Sequence, residues 1–178
     1  QPHGVFDGVL RMERVVDGNG HAAPRLNDVA PSPEQAREWH AFLMNQVVRM
    51  LCSGLVHGDL SEFNVLIDAH GPVIIDLPQA VSVSGNNNAF RMLARDVENI
   101  TAYCGQWAPE LLSTRYAHEI WKLFQDSELT PDTPLTGKYV DEPGVADVDA
   151  VLHQIEEARR EAERRQRGRE QAEAGLQD

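Results

Sequence analysis

Lysine is nearly missing from this 178-residue chain: only Lys122 and Lys138 occur, against 14 arginines and 28 Asp and Glu residues. The net charge is −12, of which residues 1–150 carry −11 and residues 151–178 carry −1. A body this acidic repels a polyphosphate backbone unless its few cations cluster, so direct nucleic-acid binding is disfavoured. Cysteine is equally rare. Cys52 and Cys104 have no CxxC spacing, which excludes a disulfide scaffold and sets the expectation of a reducing, cytoplasmic setting. No run approaches the roughly 18 apolar residues of a membrane span. Gln1-Pro2-His3-Gly4 lacks the basic and apolar regions of a signal peptide. The first residue is not Met, which sets the expectation that the chain begins inside a longer protein. At 42% hydrophobic the composition is globular, and the length suits one domain with an appended tail.

What is present reads as a mixed set of short strands and amphipathic helices. Gly8 to Val16 is apolar and β-branched and is closed by the turn residues Asp17-Gly18-Asn19-Gly20. Ser32 is placed to cap a helix that starts at Pro33, with Gln35 as its capping-box partner, and Cys52-Ser53-Gly54 ends it. Its predicted buried stripe is Trp39, Phe42, Leu43, Val47, Met50 and Leu51. Asn64 to Asp68 and Pro72 to Asp76, separated by Ala69-His70-Gly71, predict a hairpin. Phe90, Leu93, Val97 and Ile100 predict a helix over 89–103, and Leu112, Tyr116, Ile120 and Leu123 predict another over 109–124. Residues 126–149 read as loop, and Val148 to about Ala174 as a solvated, charged helix.

The stretch that carries chemistry is Leu55-Val56-His57-Gly58-Asp59-Leu60-Ser61-Glu62-Phe63-Asn64, followed by Ile74-Ile75-Asp76. An Asp, an Asn five residues on, and a second Asp at the end of the next hairpin form the arrangement used for phosphoryl transfer. The first Asp accepts or orients a hydroxyl proton, while the Asn and the second Asp hold magnesium on the phosphates. The loop from Asp59 to Asn64 can curve back so that both side chains face one cleft, and the hairpin returns Asp76 beside them. The plain alternative is a polar β-turn in which Asp59 only caps the loop. His57 is expected to pack and hydrogen-bond beneath the loop rather than exchange protons. Ala108-Pro109-Glu110 spells the end of an ordinary kinase activation loop, but a helix over 89–103 leaves no space for one, so Pro109 is read as the first residue of the next helix.

The runs LVHGDLSEFNVLID, IIDLPQAV and RDVENI resemble the RIO family of atypical serine/threonine kinases. VLRMERV resembles that family's interlobe hinge and AAPRLNDV the segment beyond it, so the similarity covers roughly residues 5–125. The resemblance implies an α+β fold: a protein-kinase-like C-terminal lobe, mainly helical with a short catalytic β-hairpin. It divides the chain into a hinge remnant at 1–16, the lobe at 17–149 and a charged helical tail at 150–178. It implies Asp59 as catalytic acceptor, Asn64 and Asp76 as metal ligands, and backbone groups of Glu13 and Val15 as the adenine site. Asp76 carries a second implied role as an acyl-phosphate site, and Asp96, in RDVENI, is expected to accept hydrogen bonds from the catalytic-loop backbone. The implied cofactors are ATP and Mg2+, with Mn2+ as a substitute. The implied partner is a protein substrate of unknown identity, with ribosome association by family analogy only.

A kinase also needs a glycine-rich loop and a strand lysine ahead of the hinge. Gly4 and Gly8 do not form such a loop, and both lysines follow the catalytic segment. The N-terminal lobe is therefore expected to be absent from this chain, which alone should be nearly inactive. Two other classes stay open. One is a small-molecule phosphotransferase of the aminoglycoside or choline kinase type, from which Ser61-Glu62-Phe63-Asn64 and Leu77-Pro78-Gln79 depart. The other is an inactive binding module built on a kinase lobe.

Overall fold

The computed structural model describes residues 2–6 and 9–140. The chain divides into two units, Gln1–Tyr139 and Val140–Asp178. The charged helix expected from Val148 to about Ala174 lies outside the described residues.

The fold is mixed α+β, with three α-helices and three two-stranded antiparallel sheets among the described residues. Strand β1 (Pro2–Phe6) pairs with β2 (Val9–Met12), so the strand expected over 8–16 stops at Met12 and its partner lies upstream. The Asp17–Gly20 turn forms as expected: Gly20 N–H bonds to the Asp17 carbonyl at 3.1 Å, and the Asp17 carboxylate accepts the N–H groups of Asn19 and His21 at 2.9 Å each. Asx turns of this kind give the backbone a local partner where no strand is available.

Helix α1 (Pro33–Cys52) begins with the capping box read from the sequence. Ser32 Oγ accepts the Gln35 N–H at 3.2 Å, and Gln35 Oε1 accepts the Ser32 N–H at 3.0 Å, which satisfies donors that a helix start leaves open. The buried face matches the predicted one at Leu43, Val47 and Leu51 but departs from it elsewhere. Ala36, His40, Leu43, Met44, Val47, Val48 and Leu51 face inward, whereas Phe42 is 44% exposed and Trp39 and Met50 are only half-buried. The stripe passes through His40, whose Nε2 lies 2.9 Å from Thr101 Oγ1. A polar ring that finds a partner can be buried, and counting apolar residues alone skips it.

Two short strands follow the helix. β3 (Leu55–Val56) pairs with β6 (Val81–Ser82), and β4 (Val65–Asp68) pairs with β5 (Gly71–Ile74), the predicted hairpin. Helix α2 (Ala89–Cys104) buries Leu93, Asp96, Val97, Ile100 and Tyr103 against α1 and the strands. The Tyr103 hydroxyl lies 2.5 Å from the Leu26 carbonyl and 2.8 Å from that of Val29, fixing the turn that leads into α1.

The single helix expected over 109–124 is two pieces. A 3-10 helix over Pro109–Ser113, with Pro109 in its first turn, is followed by an extended Thr114 and then by α3 (Tyr116–Gln125). Ser113 and Thr114 hydroxyls bond back to the carbonyls of Glu110 at 2.8 Å and Leu111 at 2.6 Å, which competes with helix continuation. Leu112, expected inward, is 59% exposed; Leu111 is buried in its place. The carboxylate of Glu119 then accepts the N–H groups of Thr136 and Gly137 at 2.8 and 2.7 Å, tying the closing loop to α3. Among the described residues no helix is long and apolar enough to cross a membrane.

Candidate active site

The segment between β3 and β4 is buried at its base and open at its tip. Val56, His57 and Leu60 are at most 1% exposed, while Asp59 and Asn64 are half-buried. Two strands anchor the loop, since β3 leads into it and β4 leads out. The register Val65↔Ile74 places Asn64 opposite Ile75, and the Ile75 N–H bonds to the Asn64 carbonyl at 2.9 Å. Asp76 is the next residue. The hairpin therefore delivers Asn64 and Asp76 to the same end of one two-stranded sheet.

Asn64 also reaches the other way. Its amide Nδ2 donates to the Asp59 backbone carbonyl at 2.8 Å and approaches Asp59 Oδ2 at 3.4 Å. With the amide nitrogen committed to Asp59, the amide oxygen is the atom left to act as a ligand. Asp76 stands in the left-handed region at φ 67°, ψ 52° and is exposed, a conformation that costs a non-glycine residue free energy and that Asp tolerates better than most.

His57 is a strut beneath this loop. Its Nε2 lies 3.0 Å from the Ile75 carbonyl, and its Nδ1 lies 3.4 Å from the Asp59 N–H. Both contacts are met by one neutral tautomer, with the proton on Nε2 and the lone pair on Nδ1. The ring ties the Ile75 carbonyl, just past β5, to the Asp59 N–H in the loop and is 1% exposed, matching the packing role expected of it.

Asp96 on α2 accepts hydrogen bonds from the Gly58 N–H at 2.8 Å and the Leu60 N–H at 2.9 Å, as expected. Burial pushes its carboxyl above the ordinary value, opposed by these two hydrogen bonds and by the nearby His57 and Arg95. Two neighbours escaped the sequence reading. Arg95 donates to the Gly58 carbonyl, and Asn99 Nδ2 donates to the Leu60 carbonyl at 3.0 Å. The signal that could have found Asn99 is its place three residues after Asp96, on the same helix face.

Glu13 and Val15 lie just past β2, ahead of the segment that carries Asp59, Asn64 and Asp76. The Val15 carbonyl accepts the Ala23 N–H at 3.1 Å. The chain then runs along the hairpin: Ile67 N–H bonds to the Pro24 carbonyl at 2.9 Å and Asn27 N–H to the Glu62 carbonyl at 3.2 Å. Between Asp76 and α2 lie a 3-10 turn over Leu77–Gln79 and strand β6, with no long free loop, so Ala108-Pro109-Glu110 serves another purpose. There Glu110 pairs with Arg37 of α1 at 2.5 Å, which lowers the Glu110 carboxyl below its usual range.

Among the described residues no group of three His, Cys, Asp or Glu side chains could hold a metal ion. The donor set offered by Asn64 and Asp76 is two hard oxygens, which excludes a closed zinc site and suits an ion that keeps water and phosphate in its shell.

A family model described as the RIO domain matches residues 1–117. The chain is 41% identical over 106 residues to the RIO-type serine/threonine-protein kinase Rio1 of Haloferax volcanii, covering 58% of this chain and 34% of that protein. It is 31% identical over 154 residues to the serine/threonine-protein kinase RIO1 of Chaetomium thermophilum, covering 82% and 28% respectively. It is 32% identical over 148 residues to the serine/threonine-protein kinase RIO3 of Caenorhabditis elegans, covering 76% and 27%. The chain thus spans about a third or less of the length of these curated relatives.

Proposed function

This chain belongs to the RIO domain family, and on that premise we propose that it forms the C-terminal lobe of a magnesium-dependent enzyme that transfers the γ-phosphate of ATP to protein serine or threonine, or to water. The observation that carries this reading is the Asn64 bridge. One side chain donates to Asp59 while its backbone pairs with the residue before Asp76, which supports reading the three as parts of one site.

In this reading Asp59 accepts or orients the acceptor proton, and Asn64 Oδ1 with the Asp76 carboxylate holds Mg2+. The ion supplies charge neutralisation at the phosphates when bound. Backbone groups of Glu13 and Val15 meet the adenine ring; because the Val15 carbonyl is already bonded to Ala23, its N–H is the group available for a ring nitrogen. Asp76 can also act as nucleophile: a carboxylate oxygen forms the bond to the γ-phosphorus as the bond to the ADP oxygen breaks, leaving an acyl-phosphate. Lys122 and Lys138 both follow Asp76 in sequence, unlike the strand lysine ahead of the hinge with which a kinase braces the phosphates.

The test is Asp59→Ala in the full-length protein that carries this segment. Turnover of ATP should fall by about 10²–10⁴-fold, the range for loss of a general base, with nucleotide affinity close to that of the parent. Loss of ATP binding in step with turnover would place Asp59 at the nucleotide rather than at the acceptor.

A further inference from the structure

Residues 58–60 carry six backbone polar groups, and every one has an identified partner. The N–H and carbonyl of Asp59 itself are held within the loop, by His57 Nδ1 at 3.4 Å and Asn64 Nδ2 at 2.8 Å. The four groups of Gly58 and Leu60 are all taken by helix α2. Asp96 accepts both N–H groups, Arg95 donates to the Gly58 carbonyl, and Asn99 donates to the Leu60 carbonyl. A carboxylate only accepts, so Asp96 cannot bind the carbonyls, and the division of labour among the three side chains follows from their chemistry.

The two peptide planes that flank Asp59 decide where its side chain points, because φ and ψ are rotations of those planes about the Asp59 Cα. The plane after Asp59 contains the Asp59 carbonyl and the Leu60 N–H, held by Asn64 and Asp96 at 2.8 and 2.9 Å. The plane before it contains the Gly58 carbonyl and the Asp59 N–H. On that plane the contact to His57 is long, at 3.4 Å, and the other hold is the guanidinium of Arg95, a charged donor that bonds more strongly than a neutral one. Gly58 needs such a hold more than most residues. It has φ +82° and no side chain of its own to restrict rotation.

We propose that Arg95 is a positioning residue for Asp59: its guanidinium fixes the peptide plane preceding Asp59 and so aims the carboxylate at the acceptor, an inference that rests on the phosphotransfer reading above. Asn99 acts on a plane one residue further away, and its contribution to the rate is smaller. Arg95 is exposed, so its truncation opens no cavity in the buried core of the lobe, although it removes a charge that favours the ionised form of the buried Asp96.

The experiment compares Arg95→Ala, Arg95→Lys, Asn99→Ala and Asp59→Ala in the full-length protein, measuring kcat and KM for ATP turnover and the melting temperature. Arg95→Ala should lower kcat by about 10²-fold, the scale of a 1 Å misplacement, with KM for ATP and melting temperature near those of the parent. Arg95→Lys keeps one charged donor and should recover part of that loss. Asn99→Ala should lose less than Arg95→Ala. A rise in KM for ATP equal to the fall in kcat would overturn the proposal by placing Arg95 on the nucleotide, and so would a parental kcat for Arg95→Ala when Asp59→Ala is inactive. If Asp59→Ala itself retains turnover, the reading of the site fails, and the role of Arg95 falls with it.

Discussion

His40 on α1 and Thr101 on α2 meet through a 2.9 Å hydrogen bond inside the core, with the imidazole 1% exposed. Burial lowers the His40 pKa from 6.5 to about 4, so the folded protein keeps the ring neutral at pH values where an unfolded chain protonates it. The contact is thus both the join between two helices and a source of acid sensitivity.

The sign of that sensitivity follows from proton counting. Between about pH 4 and 6.5 the unfolded state binds more protons than the folded state, so stability rises with pH across that window. The contribution is fully present above pH 6.5 and lost as pH falls toward 4, with a total on the order of 3 kcal/mol at about 1.4 kcal/mol per pKa unit. Urea midpoints at pH 7.5, 6 and 5 should fall more steeply for the parent than for His40→Gln. Parallel profiles for the two proteins would show that burial does not separate the folded and unfolded pKa values of His40.

Gly58 and Gly20 offer a matched pair for measuring how tightly α2 closes on the loop that carries Asp59. Both have φ near +80°, at +82° and +79°, so alanine strains the backbone at each by about 1–2 kcal/mol. Around Gly20 an added Cβ meets nothing within 4 Å, but at Gly58 it would lie 2.6 Å from Met92 Cε and 3.2 Å from the Gln79 carbonyl oxygen. Gly58→Ala should therefore destabilise by about 1–3 kcal/mol more than Gly20→Ala in chemical denaturation. Equal losses would mean that Met92 swings away without cost and the loop is looser than its hydrogen bonds suggest.

The parts of this fold that were legible in the sequence are those decided by short-range chemistry. Ser32 and Gln35 three residues apart suffice for a capping box, and two short β-branched runs around Ala69-His70 suffice for a hairpin, although Gly71, read as turn, opens the second strand and that strand ends at Ile74 rather than Asp76. The contact between Asn64 and Asp59 was legible for the same reason, since the two lie on one loop five residues apart. What could not be read depends on which partner a residue meets. Phe42 and His40 are two positions apart on α1, and hydropathy favours burying Phe42. Thr101, some 60 positions later, reverses that by giving the His40 ring a hydrogen bond. Arg95 and Asn99 were missed because their targets are backbone carbonyls, which carry no residue identity. The break at Thr114 is also tertiary in part: the Arg115 N–H, which a continuous helix would use internally, instead bonds to the Gly137 carbonyl at 2.8 Å.

The two proposed metal ligands differ in charge, and that difference separates their roles. Asp76 supplies a carboxylate from an exposed position in the left-handed region, which asparagine adopts almost as readily, so Asp76→Asn should fold like the parent while removing the charge. Losing a charge beside a divalent ion costs more than losing a neutral amide oxygen, whose place water can take. In the full-length protein, Asp76→Asn should stay close to inactive at every magnesium concentration, and any hydroxylamine-labile phosphate on the protein should disappear with it. Asn64→Ala loses both the ligand and the 2.8 Å bond to the Asp59 carbonyl, so raising magnesium or substituting manganese should restore ligand occupancy, and with it part of the rate. The remaining deficit should be one of kcat, because metal cannot replace the hold on Asp59. The measurement is ATP turnover across a magnesium series for both variants. Recovery of Asp76→Asn with magnesium, while Asn64→Ala stays inactive, would mean that the two metal roles are assigned the wrong way round.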